Sequence, residues 1–261
     1  MQSFIALLKA EVLKSKNSFA VWLSVGGTLG NTIIFFLINW FDLGPHKFGA
    51  QPDFWHTYIL NHYEGVAFMM LPLYVIILAT LLTFMEYRSG TWSLVMSLPE
   101  SRALIYWAKL AFGLLLFLAA HLLFIIGLFF SGVLLGWLHK SYVLPITHFP
   151  IGMVLILGAK TLLSIIAIMA LHLWISLRFK HFIIPLTIGI LGFVFTAILT
   201  PAFPYQWLNP YAYPICYMPA FTGEITLSSF GGLNVHEWMS LLWGLCFLLV
   251  GTWQVKRISF Q

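Results

Sequence analysis

The sequence predicts an all-α integral membrane protein with six transmembrane helices and both termini cytoplasmic. Three observations carry this. Of the 261 residues, 61% are hydrophobic and only 8% charged, where a soluble domain has about 25% charged residues. Six apolar stretches each approach the roughly 20 residues that cross a bilayer. The basic residues also sort to one side of those stretches.

Residues 1–18 form the first element, an interfacial helix. Phe4, Ile5, Leu8, Val12 and Leu13 can share one face, and Lys9, Lys14 and Lys16 can reach lipid phosphates. A plain positively charged tail is the alternative. The predicted spans are 19–41, 65–85, 104–138, 151–177, 182–200 and 238–255, within one transmembrane domain 19–255. A cytoplasmic tail, 256–261, follows. Lys9, Lys14, Lys16, Arg88, Arg102, Lys109, Arg178, Lys180, Lys256 and Arg257 fall on one side, and only Lys47 and Lys140 on the other. Ten against two places the first group in the cytoplasm. The loops at 42–64, 139–150 and 201–237 then face outward. The start of the chain does not read as a secretory signal, because a full-length span follows its charges without a cleavage site.

The net charge of +5 reflects this flanking pattern and gives no reason to expect a nucleic-acid partner. Cys216 and Cys246 give no disulfide framework. No Gly-rich, Lys-terminated phosphate loop occurs, so nucleotide hydrolysis is not expected in this chain.

Between the second and third spans the chain changes character. Glu86, Arg88, Glu100 and Arg102 fall within 17 residues. Gly90 permits a sharp turn. Thr91 can cap a short amphipathic helix through Trp92, Leu94, Val95 and Met96. Ser97-Leu98-Pro99-Glu100 reads as a capping box, with Pro99 in the first turn of the next helix. A short helix held between two spans suits a lever pushed by a soluble partner. It equally fits an inside hairpin anchored by its charges.

The order of these residues resembles that in permease subunits of type-two ATP-binding-cassette exporters. The matching positions are Glu86, Gly90, Thr91, Pro99, Arg102 and Lys109. Glu11 with Lys14 resembles the family's entrance, and Leu208-Asn209-Pro210-Tyr211 its outer segment before the last span. The layout is similar to small multidrug and lantibiotic-immunity permeases. The resemblance implies a separate cytoplasmic ATPase dimer that carries the ATP and Mg, and a second permease copy or a sister permease. It implies export of an amphipathic peptide, drug, lipid or glycan across a prokaryotic inner or plasma membrane. Glu86, Arg88, Gly90, Thr91, Pro99 and Arg102 are then the coupling residues.

Lys160 lies inside the fourth span, where a lysine costs roughly 2.5–3.5 kcal/mol on insertion scales. Glu64, Glu237 or a lipid phosphate can pair with it, or it can snorkel to an interface. His121 and His172 also lie within spans and are expected to stay neutral, bonded to backbone carbonyls. Pro201, Pro204, Pro210, Pro214 and Pro219 forbid one continuous helix. Tyr205, Trp207, Tyr211, Tyr213 and Tyr217 suit the headgroup layer. With Lys160, residues Tyr205, Trp207 and Tyr211 are the candidate transport pathway, although a plain aromatic belt also fits.

No catalytic set is expected. The six spans contain no Asp, and Glu occurs only near their ends, which argues against an intramembrane enzyme. His46, His56 and His62 match no tight metal motif. His236-Glu237 lacks the second His of a zinc-protease signature, since Ser240 stands there. An ATP-independent transporter would show internal repeats with broken helices, and none is evident.

Overall fold

The structure, a computed structural model, describes residues 2–41, 54–97, 99–138, 149–179, 181–199, 206–216 and 232–257. Their secondary structure is helical throughout: α1 (Gln2–Ser15), α2 (Phe19–Trp40), α3 (Phe54–Gly65), α4 (Leu71–Arg88), α5 (Trp92–Met96), α6 (Arg102–Leu138), α7 (Ile151–Arg178), α8 (Ile183–Leu199), α9 (Tyr213–Cys216) and α10 (Val235–Arg257). Short 3₁₀ turns at Gln206–Leu208 and Pro210–Ala212 precede α9.

Among the described residues, five helical segments are long and apolar enough to cross a membrane: α2, the joined Phe54–Arg88, α6, α7 and α10. The remaining apolar helix, α8, has 17 residues, or roughly 25 Å at 1.5 Å per residue. Helix α6 runs 37 residues, about 55 Å, and so extends well beyond a hydrocarbon core of about 30 Å. Large apolar side chains on α2, α6, α8 and α10 face outward, where lipid rather than water surrounds them.

Two apolar cores organise the bundle. One joins Val75, Ile76 and Leu78 of α4 to Phe112 of α6, Ile168 of α7 and Val255 of α10. The other joins Trp55, Tyr58 and Ile59 of α3 to Phe124 and Leu128 of α6 and Leu157 of α7. Helix α10 lies along α7, α2 along α6, and α4 along α7 and α8.

Two sequence expectations are corrected here. The predicted outward loop 42–64 is helical from Phe54. Phe54, Trp55, Tyr58, Ile59, His62 and Tyr63 form one buried stripe at helical spacing. This helix continues through a wide turn, Val66–Met70, into α4. Pro72 follows directly. Its ring has no N–H and crowds the carbonyl four residues back, and the widened turn accommodates both.

The capping box is displaced as well. The Ser97 hydroxyl donates back to the Leu94 carbonyl at 2.8 Å. Ser101 instead accepts from the Leu104 amide at 3.3 Å, at the entry to α6. Pro99 therefore lies in the bend before α6, not in its first turn.

In α1, Ile5, Val12 and Leu13 are exposed, as are Lys9 and the adjoining Lys16, while Glu11 and Ser15 are buried. Lys14 points to carboxylates rather than standing free for phosphate.

Candidate functional site

At one end of the bundle, α1, α4 and α6 converge on four charged side chains. Glu11 from α1 and Glu86 from α4 face Lys14 from α1 and Lys109 from α6. The Lys14 ammonium donates to Glu11 at 2.5 Å and to Glu86 at 2.7 Å. Lys109 lies 3.0 Å from Glu11 and 3.1 Å from Glu86. It also donates to the Leu82 carbonyl at 3.1 Å. Lys109 is 1% exposed, Glu86 3% and Glu11 6%, so only Lys14 reaches solvent appreciably.

The quartet is electrically neutral, which makes its burial tolerable. Burial alone would raise the Glu11 carboxyl. Lys109 and Lys14 outweigh that and hold it below its ordinary 4.5. Burial alone would lower the Lys14 ammonium. Glu86 and Glu11 outweigh that and hold it above its ordinary 10.5.

The predicted loop grows directly out of this quartet. Gly90 adopts φ +65°, a conformation that favours glycine. The turn closes as the Thr91 amide donates to the Glu86 carbonyl at 3.1 Å. Ser89 and Thr91 share a hydroxyl–hydroxyl bond of 2.8 Å. Trp92 then turns inward, packing on Tyr87 with ring centroids 5.2 Å apart and lying 5.9 Å beneath the Lys109 ammonium. The Tyr87 hydroxyl donates to the Leu177 carbonyl at 3.1 Å, linking the loop to the end of α7. Leu94, by contrast, is 67% exposed. The five-residue helix α5 thus has a buried anchor and an outward apolar knob.

Beside the quartet lies a polar cavity of about 490 Å³, lined by Glu11, Lys14, Glu86, Arg88, Thr91 and Lys109 among others. Of the predicted coupling residues, Glu86, Arg88 and Thr91 meet at this cavity. Gly90 forms the turn beside it, while Pro99 and Arg102 mark the return into α6. Sequence reasoning missed the central roles of Lys109, Lys14 and Glu11. A usable signal existed: Lys109 is seven residues inside a helix and requires an anion, in a chain with only eight acidic residues.

Among the described residues, the candidate pathway residues each have their own hydrogen-bond partners. Lys160 pairs with Glu237 at 2.7 Å, one of the three partners considered for it. The other Glu237 oxygen accepts from the Asn234 amide at 2.7 Å. Trp207 lies in a 3₁₀ turn, and its carbonyl accepts from the Tyr213 hydroxyl at 2.9 Å. The Tyr211 hydroxyl bonds His172 Nε2 at 2.9 Å. His121 Nε2 likewise meets the Tyr63 hydroxyl at 3.2 Å. Both histidines therefore use tyrosine hydroxyls rather than the expected carbonyls. Tyr205 and His46 lie outside the described residues. His62 Nδ1 sits 2.8 Å from the Tyr58 carbonyl, and among the described residues no group of three potential ligands gathers for a metal.

The long apolar helices define a multi-pass membrane protein, with a charged knot at the root of a short surface helix. The family model described as ABC-2 family transporter protein matches residues 7–196, well over half of the chain, and the chain belongs to that family. The matched segment includes all four members of the quartet. No match was found among curated proteins.

Proposed function

We propose that this chain is the transmembrane permease of an ATP-driven exporter, energised by a separate cytoplasmic ATPase dimer. It moves an amphipathic peptide, drug, lipid or glycan out of the cytoplasm or the inner leaflet. In this reading α8 completes six spans, both termini are cytoplasmic, and a second permease copy or a sister permease completes the pathway. The membrane is a prokaryotic inner or plasma membrane.

The observation that carries the reading is the attachment of α5 to the quartet. Trp92 and the 86–91 turn fasten the short helix to α4, and Lys109 and Glu11 extend that attachment to α6 and α1. Leu94 gives a partner something to grip. A soluble motor pressing on α5 would move the ends of α1, α4 and α6 together. Glu86, Gly90 and Thr91 act as the hinge, Arg88 faces the partner from the cavity rim, and Pro99 and Arg102 guide the return.

Co-purification from the native host tests this. The native chain is expected to bring down a soluble ATPase, and Leu94→Glu to lose it while remaining monodisperse. Absence of any ATPase from the native preparation, with a known permease retaining its own in parallel, overturns the reading.

A further inference from the structure

A second cavity lies far from the charged end, between α2, α4 and α6. It measures about 290 Å³ and is lined by Gly27, Asn31, Met70, Tyr74, Phe117 and Phe124 among others, without a single Asp, Glu, Lys or Arg. This is near the lower end of small-molecule sites, which are mainly apolar with a few polar groups that fix orientation. Methionines in its wall can adapt to an occupant.

One polar side chain in the wall is unsatisfied. Asn31 is 6% exposed, and its side-chain oxygen has no hydrogen-bond partner. The neighbouring polar groups already have partners. The Thr28 hydroxyl donates to the Ser24 carbonyl at 2.6 Å. The Tyr74 hydroxyl pairs with the Ser24 hydroxyl at 2.7 Å, and His121 pairs with Tyr63. A carboxamide buried in an apolar, lipid-surrounded wall is costly unless something bonds to it.

Depth narrows the choice of occupant. Asn31 is twelve residues from Phe19 and nine from Trp40, roughly 18 and 14 Å along the helix, and so near the middle of the hydrocarbon layer. A resting phospholipid keeps its ester groups at the interface and offers only methylenes at this depth. The lining also holds no charge to neutralise an ion.

We propose that this cavity binds an uncharged lipophilic molecule carrying a neutral hydrogen-bond donor, such as an amide N–H, within its apolar body, with that donor bonded to the Asn31 side-chain oxygen. The proposal concerns binding alone, so it stands or falls separately from ATP-driven export.

The test uses the full chain in nanodiscs and a photoreactive secondary amide, with an alkyl chain on each side and a diazirine on one. Two further probes accompany it: the same chain with methylenes replacing the amide, and a diazirine phosphatidylcholine. Mass spectrometry then maps labelled peptides. The amide probe is expected to label the Met69–Met70 and Phe117–Phe124 regions saturably and above both other probes. Asn31→Leu is expected to weaken labelling about three- to tenfold at subsaturating probe, the worth of one hydrogen bond. Gly27→Leu is expected to abolish it by filling the cavity, since a Cβ at Gly27 meets nothing within 4 Å. Equal labelling by the hydrocarbon or phosphatidylcholine probe overturns the proposal, as does undiminished labelling of folded Asn31→Leu. If Asn31→Leu is not recovered folded, Gly27→Leu decides, and undiminished labelling there overturns the proposal.

Discussion

Among the described residues, lysine is buried against glutamate in two places, and the two differ in how many helices they join and in what surrounds them. Lys160 and Glu237 form a closed pair, 4% and 1% exposed, between α7 and α10. Ser240 reinforces the same seam by donating to the Leu163 carbonyl at 2.7 Å. At Gly244 an added Cβ would sit 2.6 Å from an Ile166 side-chain carbon, so the two helices approach as closely as small residues allow. The quartet of Glu11, Lys14, Glu86 and Lys109 instead joins three helices, borders a cavity and leaves one lysine partly exposed. Coulomb attraction acts in both. On the proposed function, the pair would act as a rivet, since both its members are enclosed in the α7–α10 seam. The quartet would act as a joint, since it spans three helices and borders a cavity.

The largest expected effect comes from removing one charge and stranding its partners. Lys109→Met leaves two carboxylates facing each other with only Lys14, and is expected to cost about 3–5 kcal/mol. Lys160→Met strands Glu237 with a loss of similar size. Thermal aggregation of the solubilised protein measures both. Charge-neutral replacements sharpen the contrast. Lys160→Met with Glu237→Leu is expected to be near neutral or stabilising, since apolar substitutes avoid the desolvation penalty. A destabilised double variant would show that the rivet depends on its charge.

Gly244→Leu comes next, with an expected loss of about 1–3 kcal/mol from overpacking at the α7–α10 seam. Gly90→Ala is smaller, about 1 kcal/mol, because an alanine at φ +65° is strained. Its stronger effect is expected on coupling, read as the substrate- or partner-dependent change in ATPase rate.

The pH response is the mildest and is specific to the joint. Glu11 is held below its ordinary 4.5, so its contribution is full above that value and lost as pH falls through the depressed value. Lys14 is held above its ordinary 10.5, so its contribution is full below that value and lost as pH rises through the elevated one. Docking of α1 is therefore expected to be flat between those limits and to loosen outside them, measured by hydrogen exchange across 2–15. Screening limits the part owed to Lys14, whose side chain is 37% exposed.

Much of this architecture is legible in the sequence because lipid-facing helices must be apolar along their length. The turn at Gly90 and the helix through Trp92 are legible for the same local reason, since their residue types leave few backbone choices. Helix α3 is not legible as part of a span. His56, Asn61, His62 and Glu64 lower its hydropathy, and only tertiary packing shows that the stripe of Trp55, Tyr58 and Ile59 meets α6. The choice of Ser101 over Ser97 as cap depends on where α5 ends, which two competing serines leave open. Lys109 and Glu11 are 98 residues apart, and no local pattern pairs them. Glu237 is legible as one of a few candidate partners for Lys160, because a membrane lysine needs an anion and the chain has only eight acidic residues.

In the proposed mechanism the quartet transmits motion and the Lys160–Glu237 pair does not, and one distance measurement separates them. Spin labels at Phe68 and Val235, both outward-facing, report the distance between the wide turn that leads into α4 and the start of α10. The complex with its ATPase is measured in nanodiscs, before and after trapping with ATP and vanadate. One variant neutralises the quartet (Glu11→Gln, Lys14→Met, Glu86→Gln, Lys109→Met), and the other neutralises the pair (Lys160→Met, Glu237→Leu). A trapping-dependent distance change is expected in the native complex and the pair variant. None is expected in the quartet variant, although the ATPase stays bound. A quartet variant that shifts like the native complex would show that the quartet does not carry the motion.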